Sequence, residues 1–354
     1  MSPSTKKPRF NATRETVRVD WAQWDPWAGW QGLAGIAIPL FLGLAFHQIE
    51  EGAIAAGGAL YIGLGSYVKQ TRTSTYSMIL GGLLMALCAF LGSSTGDHLI
   101  VIVVLSAFWA FAAGMLSILG PPLSFIGIKT LVSLLLAAGY PSNPREALHR
   151  GILVFAGVLL QTFLFSIEDA LGRRWGAPRR TARPQPSWKN LWKGLRPHFS
   201  FFDPVFQHAL RLCLSIAVAE ACCRSFLAFN TYWFPLTVAI VLRPDFDQTL
   251  VRGFSRMAGT LAGVVLSTLI VLWLKPQGVT LAFLVLPSAW LCFSLFKANY
   301  ALYSACITSY IVFLLTFVGL PEMAVVHNRL LATLAGGFFA LAVYTLWPKM
   351  KGSR

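Results

Sequence analysis

The chain has 354 residues, of which 56% are hydrophobic and only 12% are charged, and its mean hydropathy is +0.62. These values exclude a soluble globular protein and indicate an integral membrane protein. The formal net charge of +15 would suit a nucleic acid partner, but most lysines and arginines fall in loops on one predicted side of the membrane. Topology therefore explains the charge, and no nucleic acid partner is predicted.

A helix that spans a membrane needs roughly 20 apolar residues, and the sequence predicts an all-α membrane protein with about twelve such helices. The predicted spans are residues 29–47, 52–68, 75–92, 98–117, 121–139, 149–168, 206–225, 229–242, 252–274, 278–296, 299–318 and 325–347. The eighth span is short, and the fourth and fifth meet at Gly120-Pro121-Pro122 with almost no loop. For these three segments a half-helix or a re-entrant segment is the alternative.

The distribution of basic residues predicts the orientation. Residues 1–28 are basic and have no apolar core before Trp27, so no cleavable signal peptide is expected. Arg329 is among the few basic residues predicted on the outer side. The excess of lysine and arginine on the other side predicts that this side is the cytoplasm of a bacterial-type inner membrane and that both termini lie there. The predicted organisation is a basic, Trp-rich segment (1–28), a first six-helix unit (29–168), a basic linker with an interfacial amphipathic segment (169–205), a second six-helix unit (206–347) and a cytoplasmic tail (348–354).

Similar local sequences recur at a nearly constant offset along the chain. Asp25-Pro26 precedes the first predicted span, and Asp203-Pro204 precedes the seventh. Arg150 and Arg329, each followed at the same distance by an Ala-Gly pair, repeat this offset to within one position. The shared offset predicts two tandem six-helix repeats. Because six is even, the repeats share their orientation and are related by a pseudo-two-fold axis along the membrane normal.

The sequence contains no motif of a metalloprotease, a serine hydrolase or a phosphate-binding loop, so it favours neither an enzyme nor a self-contained ATP-driven pump. The six cysteines lie in apolar segments without paired metal-ligand spacing. Neither a disulfide framework nor a metal site is predicted, and no cofactor is expected.

The most informative stretch begins with Tyr232-Trp233, continues through an Arg243-Pro244 turn and ends in Arg256-x-x-Gly259-Thr260-x-x-Gly263. This composite resembles the signature of the fusaric acid resistance protein and aromatic acid exporter family, with a close match over residues 204–274. The resemblance implies a multi-pass membrane transporter that exports aromatic acids. It also implies a periplasmic adaptor protein as a partner, with a homo-oligomer as the alternative assembly and membrane lipids around either.

Three cations are candidate ligands: Lys129 in the middle of the fifth predicted span, Arg243 in the turn after the eighth, and Arg256 near the cytoplasmic end of the bilayer core. An arginine there costs several kcal/mol unless it is paired or hydrated, and the guanidinium fork matches a carboxylate. We therefore predict that these residues bind a small organic anion. The alternative for the arginines is an ion pair with the acidic residues of the nearby turn, or contact with anionic lipid. Lys129 stands out because Ile307 occupies the corresponding place in the second repeat.

Neighbouring residues of the same motif are predicted to assist. Tyr232 and Trp233 are expected to stack on an aromatic acid, with core or interfacial packing as the alternative. Thr260 is the remaining predicted substrate contact. Gly259 and Gly263 are spaced by one helical turn, a pattern that lets another helix approach closely, so the same stretch also predicts helix packing.

Few acidic residues are available for proton coupling. Glu220 lies inside the seventh predicted span, and Asp245 and Asp247 lie in the turn after the eighth. All three are predicted proton-coupling groups, although an ion pair between Glu220 and Arg224, one helical turn later, is the alternative for the first.

Together these features predict a secondary transporter that exports an aromatic or other hydrophobic carboxylate and is driven by the proton gradient. One alternative is a passive organic-anion channel, because plant malate channels resemble the same superfamily. Another is a non-transporting membrane subunit that scaffolds an envelope-lipid or secondary-metabolite enzyme.

Overall fold

The computed structural model of the chain describes residues 12–68, 71–72, 75–174, 181–182, 188–226 and 232–347. Its helices are α1 Ala12–Val17, α2 Pro26–Ala45, α3 Ile49–Ser66, α4 Thr75–Thr95, α5 Leu99–Leu116, α6 Pro121–Ala138, α7 Pro144–Arg174, α8 Trp188–Leu195, α9 Pro204–Phe226, α10 Trp233–Val241, α11 Phe246–Leu274, α12 Val279–Leu295, α13 Tyr300–Phe317 and α14 Glu322–Leu346. Three very short strands accompany them: β1 Tyr67–Val68, β2 Thr71–Arg72 and β3 Thr181–Ala182. Strand β2 pairs antiparallel with β1 and parallel with β3.

In the part of the chain that the structure describes, eight helices are long and apolar enough to cross a membrane: α2, α4, α5, α7, α9, α11, α13 and α14. Helices α6 and α12 contain shorter apolar stretches, Leu123–Ala138 and Val279–Leu295. The helical membrane class predicted from composition is therefore confirmed, whereas the count of twelve spans stays a prediction.

The outward faces of these helices are apolar. Large hydrophobic side chains are exposed along them, including Phe163, Leu272 and Trp273, the last of which is 90% exposed. Trp27 and Trp192 are also exposed, as expected of indole rings at the headgroup level. A surface of this kind suits contact with lipid rather than water.

The repeated Asp-Pro pairs begin helices, as their chemistry predicts. The Asp25 carboxylate accepts a hydrogen bond from the Ala28 amide at 3.2 Å, and Asp203 accepts one from the Val205 amide at 2.8 Å. His198 lies 2.8 Å from the second carboxylate oxygen of Asp203. Burial alone would raise the pKa of Asp203, but the hydrogen bonds from His198 and the backbone hold it below its usual value.

Helices α2–α7 and α9–α14 pack by the same neighbour pairs. In the first group α2 packs on α3, α3 on α7, α4 on α6 and α7, and α5 on α6. In the second group α9 packs on α10, α10 on α14, α11 on α13 and α14, and α12 on α13. Between the groups α5 packs on α9 and α12 packs on α2. Each of these five pairs of the first group thus has a counterpart in the second.

Helix α10 is short, because it runs only from Trp233 to Val241. At 1.5 Å per residue it extends roughly 13 Å, less than half of a hydrocarbon core about 30 Å thick. Residues 229–231 of the predicted eighth span lie outside the described residues, so the half-helix stays an alternative for this segment. Helix α6 has 18 residues, of which Leu123–Ala138 form the apolar stretch. Helix α7 runs from Pro144 to Arg174 and so extends into the predicted linker.

Helices α11 and α13 are in close contact along the small residues of the motif. A methyl group added at Gly263 would overlap the Ala305 carbonyl oxygen and come within 2.8 Å of the Thr308 Cβ. Ser309 donates a hydrogen bond to the Gly263 carbonyl at 3.2 Å. The small-residue pattern therefore serves helix packing here.

We expect Gly263→Ala to lower the melting temperature of the detergent-solubilised protein, because the backbone of α13 must move to admit the methyl group. Such overpacking costs about 1–3 kcal/mol. Gly57→Ala is the matched control, since a methyl group added at Gly57 meets no atom within 4 Å. Equal melting temperatures for the two variants would contradict tight packing of α11 on α13.

Candidate functional site

A cavity of about 260 Å³ lies among helices α3, α6, α10, α11, α12 and α13. Its wall is formed by Tyr61, Ser124, Phe125, Ile128, Lys129, Val132, Trp233, Leu236, Ile240, Arg243, Arg252, Arg256, Phe296, Tyr300, Tyr303, Ile307 and Ile311. The volume is slightly below the range of about 300–1,000 Å³ that is usual for pockets of drug-sized ligands. A small solute therefore fits this space best.

The cavity extends from one end of the helix bundle into its interior. Phe125 lies near the start of α6, Arg243 follows α10, and Tyr300 begins α13, so these residues mark the end of the bundle that carries the α10–α11 turn. Trp233 is the first residue of α10 and lies at the deep end. Because α10 spans roughly 13 Å, the cavity extends about that far along the helix axis.

Among the described residues of the cavity wall none is acidic and four are cationic: Lys129, Arg243, Arg252 and Arg256. Arg256 is only 3% exposed. Among the residues that the structure describes, the Nε atoms of Arg243 and Arg256 have no hydrogen-bond partner. Buried cations of this kind cost several kcal/mol unless water or an anion satisfies them. The cavity therefore has the electrostatics of an anion site.

Aromatic rings hold two of these cations in place. The Arg252 guanidinium lies 4.1 Å from the centroid of the Tyr300 ring. The Lys129 ammonium lies 4.6 Å from the Tyr61 centroid and 4.9 Å from that of Phe125. Such cation–π contacts stabilise a charge without neutralising it, so neither ring contact takes the place of an anionic partner.

Local hydrogen bonds fix the turn that carries Arg243. The Thr249 hydroxyl accepts a hydrogen bond from the Arg243 amide at 3.0 Å and donates to the Asp245 carbonyl at 2.9 Å. The Asp245 carboxylate accepts from the Gln248 amide at 3.2 Å and so caps the start of α11. This turn and cap place Arg243, Arg252 and Arg256 on one wall.

The cavity is rich in aromatic rings. Phe125 of α6 meets Phe296 edge to face, with ring centroids 6.1 Å apart, and Phe296 meets Tyr303 in the same way at 5.0 Å. Tyr300 and Tyr303 are neighbours at 5.7 Å. The rings thus line the part of the cavity near the helix ends, where they offer faces and edges to an apolar or aromatic ligand.

The structure brings four of the six predicted substrate-binding residues into this one cavity: Lys129, Trp233, Arg243 and Arg256. Tyr232 and Thr260 do not line it. Thr260 is fully buried, and its hydroxyl has no partner among the described residues. The roles of all six residues in binding stay predictions, but two of the six are separated from the cavity.

Tyr232 instead packs behind Trp233, with their ring centroids 4.5 Å apart. Its hydroxyl lies 2.9 Å from the Tyr140 hydroxyl. Tyr140 follows the end of α6 that is opposite to Phe125. The tyrosine pair therefore lies between the cavity and the opposite end of the bundle.

The predicted proton-coupling residues lie outside the cavity. Asp245 and Asp247 are exposed, and no ion pair joins either one to Arg243 or Arg256 within the described part of the chain. This arrangement does not support the alternative in which the turn carboxylates neutralise the arginines.

Glu220 makes the ion pair that was its alternative interpretation. It is 2% exposed and accepts a hydrogen bond from Arg224 Nε at 2.7 Å. Arg224 also donates to the carbonyl oxygens of Gly96, after the end of α4, and of Ala138, at the end of α6. The pair thus joins α9 to two helix ends of the first group, and its position indicates a structural role.

We expect Glu220→Gln to lower the melting temperature and to leave the pH dependence of transport unchanged. Removing one partner of a charged hydrogen bond costs about 1.5–3 kcal/mol. Glu146→Gln, at an exposed position near the start of α7, controls for loss of a carboxylate. A pH-independent flux in Glu220→Gln, at unchanged stability, would restore Glu220 as the proton-coupling group.

Arg329, predicted on the outer side, lies deeper in the bundle than expected. It is 0% exposed, in the third turn of α14. Its guanidinium carbon lies 4.3 Å from the centroid of the Trp233 ring, and Nη2 donates a hydrogen bond to Thr308 at 3.3 Å. The predicted span 325–347 already contains Arg329 near its start, and α14 begins three residues before that span, at Glu322.

The sequence did not single out several other lining residues, which include Tyr61, Phe125, Arg252, Phe296, Tyr300 and Tyr303. A usable signal existed in the spacing of Phe125, Lys129 and Val132, which share one face of α6. The matching face of α13 carries Tyr303 and Ile307.

Comparison with known proteins supports the family resemblance that the motif indicates. Residues 214–343 match a family model described as fusaric acid resistance protein-like. An uncharacterized protein, ORF2, of Neisseria gonorrhoeae is 32% identical over 190 residues, which cover 52% of this chain and 45% of that protein. The inner membrane protein YccS of Escherichia coli is 28% identical over 160 residues, 45% of this chain and 22% of YccS. No solved structure matches the chain.

A membrane protein of Bacillus subtilis, YvaC, is 36% identical over 109 residues, which cover 30% of this chain and 17% of YvaC. The matched stretch therefore spans less than half the length of each of these relatives. The resemblance to the fusaric acid resistance family is confirmed through residues 214–343, the region that supplies α10, α11 and α13 to the cavity wall.

Proposed function

We propose that this chain, a membrane protein with a fusaric acid resistance protein-like region, transports a small organic anion, an aromatic or other hydrophobic carboxylate. The cavity with four cations, aromatic walls and no acidic lining residue carries the proposal. The Nε atoms of Arg243 and Arg256 have no hydrogen-bond partner among the described residues, and the guanidinium fork matches the geometry of a carboxylate. The rings beside them suit an apolar or aromatic body. A transport role is also the general character of the family.

The proposed architecture is two tandem six-helix repeats with the cavity on the axis between them. Corresponding positions of the two repeats lie on the cavity wall: Tyr61 with Ile240, Phe125 with Tyr303, Lys129 with Ile307, and Val132 with Ile311. The members of each pair are separated by the same offset, to within one position, as the repeated Asp-Pro pairs and the repeated arginines. Shared neighbour pairs among the helices support the same arrangement.

The proposed orientation has both termini and the linker in the cytoplasm of an inner membrane. In this orientation the cavity belongs to the cytoplasmic half, and the Tyr140–Tyr232 pair separates it from the outer side. A cavity on one side of a closed barrier is what alternating access requires of a carrier that loads its substrate inside. It favours a carrier over a continuously open channel.

Export, proton coupling and a periplasmic adaptor or a second copy of the chain are further parts of the proposal, and they rest on the family resemblance rather than on the cavity. No carboxylate lies on the described cavity wall. The groups that carry protons are therefore expected outside the cavity.

The proposal is tested with the purified chain in lipid vesicles. Phthalate is a suitable probe because it has an aromatic ring and two carboxylates, and its charge limits leakage through the bilayer. We expect saturable phthalate flux above that of empty vesicles, and a faster flux when a pH difference is imposed. Absence of phthalate and benzoate flux with and without the pH difference would contradict it. Large uncoupled currents would instead indicate the channel.

A further inference from the structure

Arg329 is the most deeply buried cation that the proposed cavity does not use. Its side chain is 0% exposed, and its only hydrogen bond among the described residues is the one from Nη2 to the Thr308 hydroxyl at 3.3 Å. The Nε and Nη1 atoms have no partner in the same part of the chain. No ion pair with a carboxylate offsets its charge among these residues. The cost of such burial is several kcal/mol, so the position calls for a ligand.

Trp233 lies between Arg329 and the cavity. The indole lines the deep end of the cavity, and its ring is also the one that the Arg329 guanidinium contacts at 4.3 Å. A cation–π contact stabilises an arginine by about 0.5–2 kcal/mol, which is less than the cost of leaving its polar atoms unsatisfied. Trp233 therefore shields the guanidinium from the cavity without replacing an anion.

We propose that Arg329 forms a second binding site for the transported anion, reached from the cavity when the Trp233 indole moves aside. This inference rests on the proposed transport function. An anion that leaves Arg256 would pass the indole and meet the unpartnered N–H groups of Arg329. It would then lie beside the Tyr140–Tyr232 barrier, since Tyr232 packs directly against Trp233. Arg329 is thus a substrate-binding residue of a later step, whereas Arg256 acts in loading.

If Arg329 forms a second site, its replacement should slow phthalate transport without weakening phthalate binding in the cavity. In Arg329→Gln, the dissociation constant for phthalate, measured by isothermal titration of the purified protein, should stay within about twofold of the wild-type value. Phthalate flux in vesicles should fall about tenfold or more, the size of effect expected when one charged hydrogen bond to the anion is lost. Arg256→Gln should weaken both, because it acts in the cavity.

Melting temperatures of the variants show whether Arg329 is needed for the fold. Arg329→Lys keeps a positive charge at the site, and it is the variant to measure if Arg329→Gln does not fold. Its phthalate flux should lie between those of the wild type and of Arg329→Gln, because lysine keeps the charge but lacks the guanidinium fork. A folded Arg329→Lys variant with flux no higher than that of a folded Arg329→Gln variant would show that the charge at this position does not serve the anion, which contradicts an anion site.

Two further results would overturn the second site. One is wild-type flux in Arg329→Gln, and the other is a loss of phthalate binding as large as that in Arg256→Gln, which would make Arg329 part of the cavity. A wild-type protein without any phthalate or benzoate flux has a different meaning. It would remove the transport function itself, and the second site with it.

Discussion

Replacing Arg256 by glutamine is expected to slow phthalate flux about ten- to hundredfold and to weaken phthalate binding by a similar factor. Arg256 is 3% exposed, lines the cavity and has an Nε atom without a partner among the described residues. A hydrogen bond to a charged group contributes about 1.5–3 kcal/mol, and each step of about 1.4 kcal/mol is a tenfold change in the binding constant. Glutamine keeps much of the volume but loses the charge and the fork of donors.

The matched control for this variant is Arg145→Gln, at an exposed position near the start of α7. It removes the same charge and should leave flux and binding unchanged. The melting temperature of Arg256→Gln should not fall, because removing an unpaired buried cation relieves a cost. Wild-type flux in Arg256→Gln, or a loss of stability that accounts for the lost flux, would show that the arginine is structural.

The membrane class and most helix positions could be predicted because long apolar runs are a local property of the sequence. Twelve helices of the described chain coincide with the twelve predicted spans to within a few residues at most ends. The end of α7 is an exception. It continues to Arg174 because residues 169–174 remain compatible with a helix after the apolar run has ended.

The arginines of the cavity wall could be predicted for the same reason. Arg243 and Arg256 belong to one continuous motif, and a cation in an apolar segment signals its importance without any knowledge of the fold. Lys129 was found by comparison with Ile307 in the second repeat. These residues converge only because α6 and α10–α13 meet around one cavity, and that meeting is a property of tertiary packing.

The aromatic walls and Arg329 depend on tertiary contacts that no single segment reveals. Phe296, which follows α12 in the second group of helices, reaches Phe125 of α6 in the first group. Trp233 was expected to contact substrate, but one side of its ring also meets Arg329. A sequence pattern predicts which residues face inward, whereas the pairing of inward faces requires the packed structure.

The cavity lies between corresponding residues of the two proposed repeats, so moving a lysine from one repeat to the other tests whether both repeats share one anion site. Lys129 of α6 and Ile307 of α13 both line the cavity, at matching positions of the two proposed repeats. We expect Lys129→Ile to reduce phthalate flux and affinity about tenfold, because one of four cations is lost near the anion and such a charge contributes more than about 1 kcal/mol at short range. The fold should persist, since isoleucine already occupies the matching position.

Adding Ile307→Lys to that variant should recover most of the lost affinity, because the new ammonium enters the same cavity from its opposite wall. The single variant Ile307→Lys is the control, and it should bind phthalate at least as tightly as the wild-type protein if its stability is kept. Measurements are phthalate titration, vesicle flux and melting temperature for all three variants. If affinity is not recovered in a double variant that remains folded, Lys129 acts through its own neighbours, Tyr61 and Phe125. The cavity would then be asymmetric in function, and a single axial site shared by the two repeats would be the wrong description.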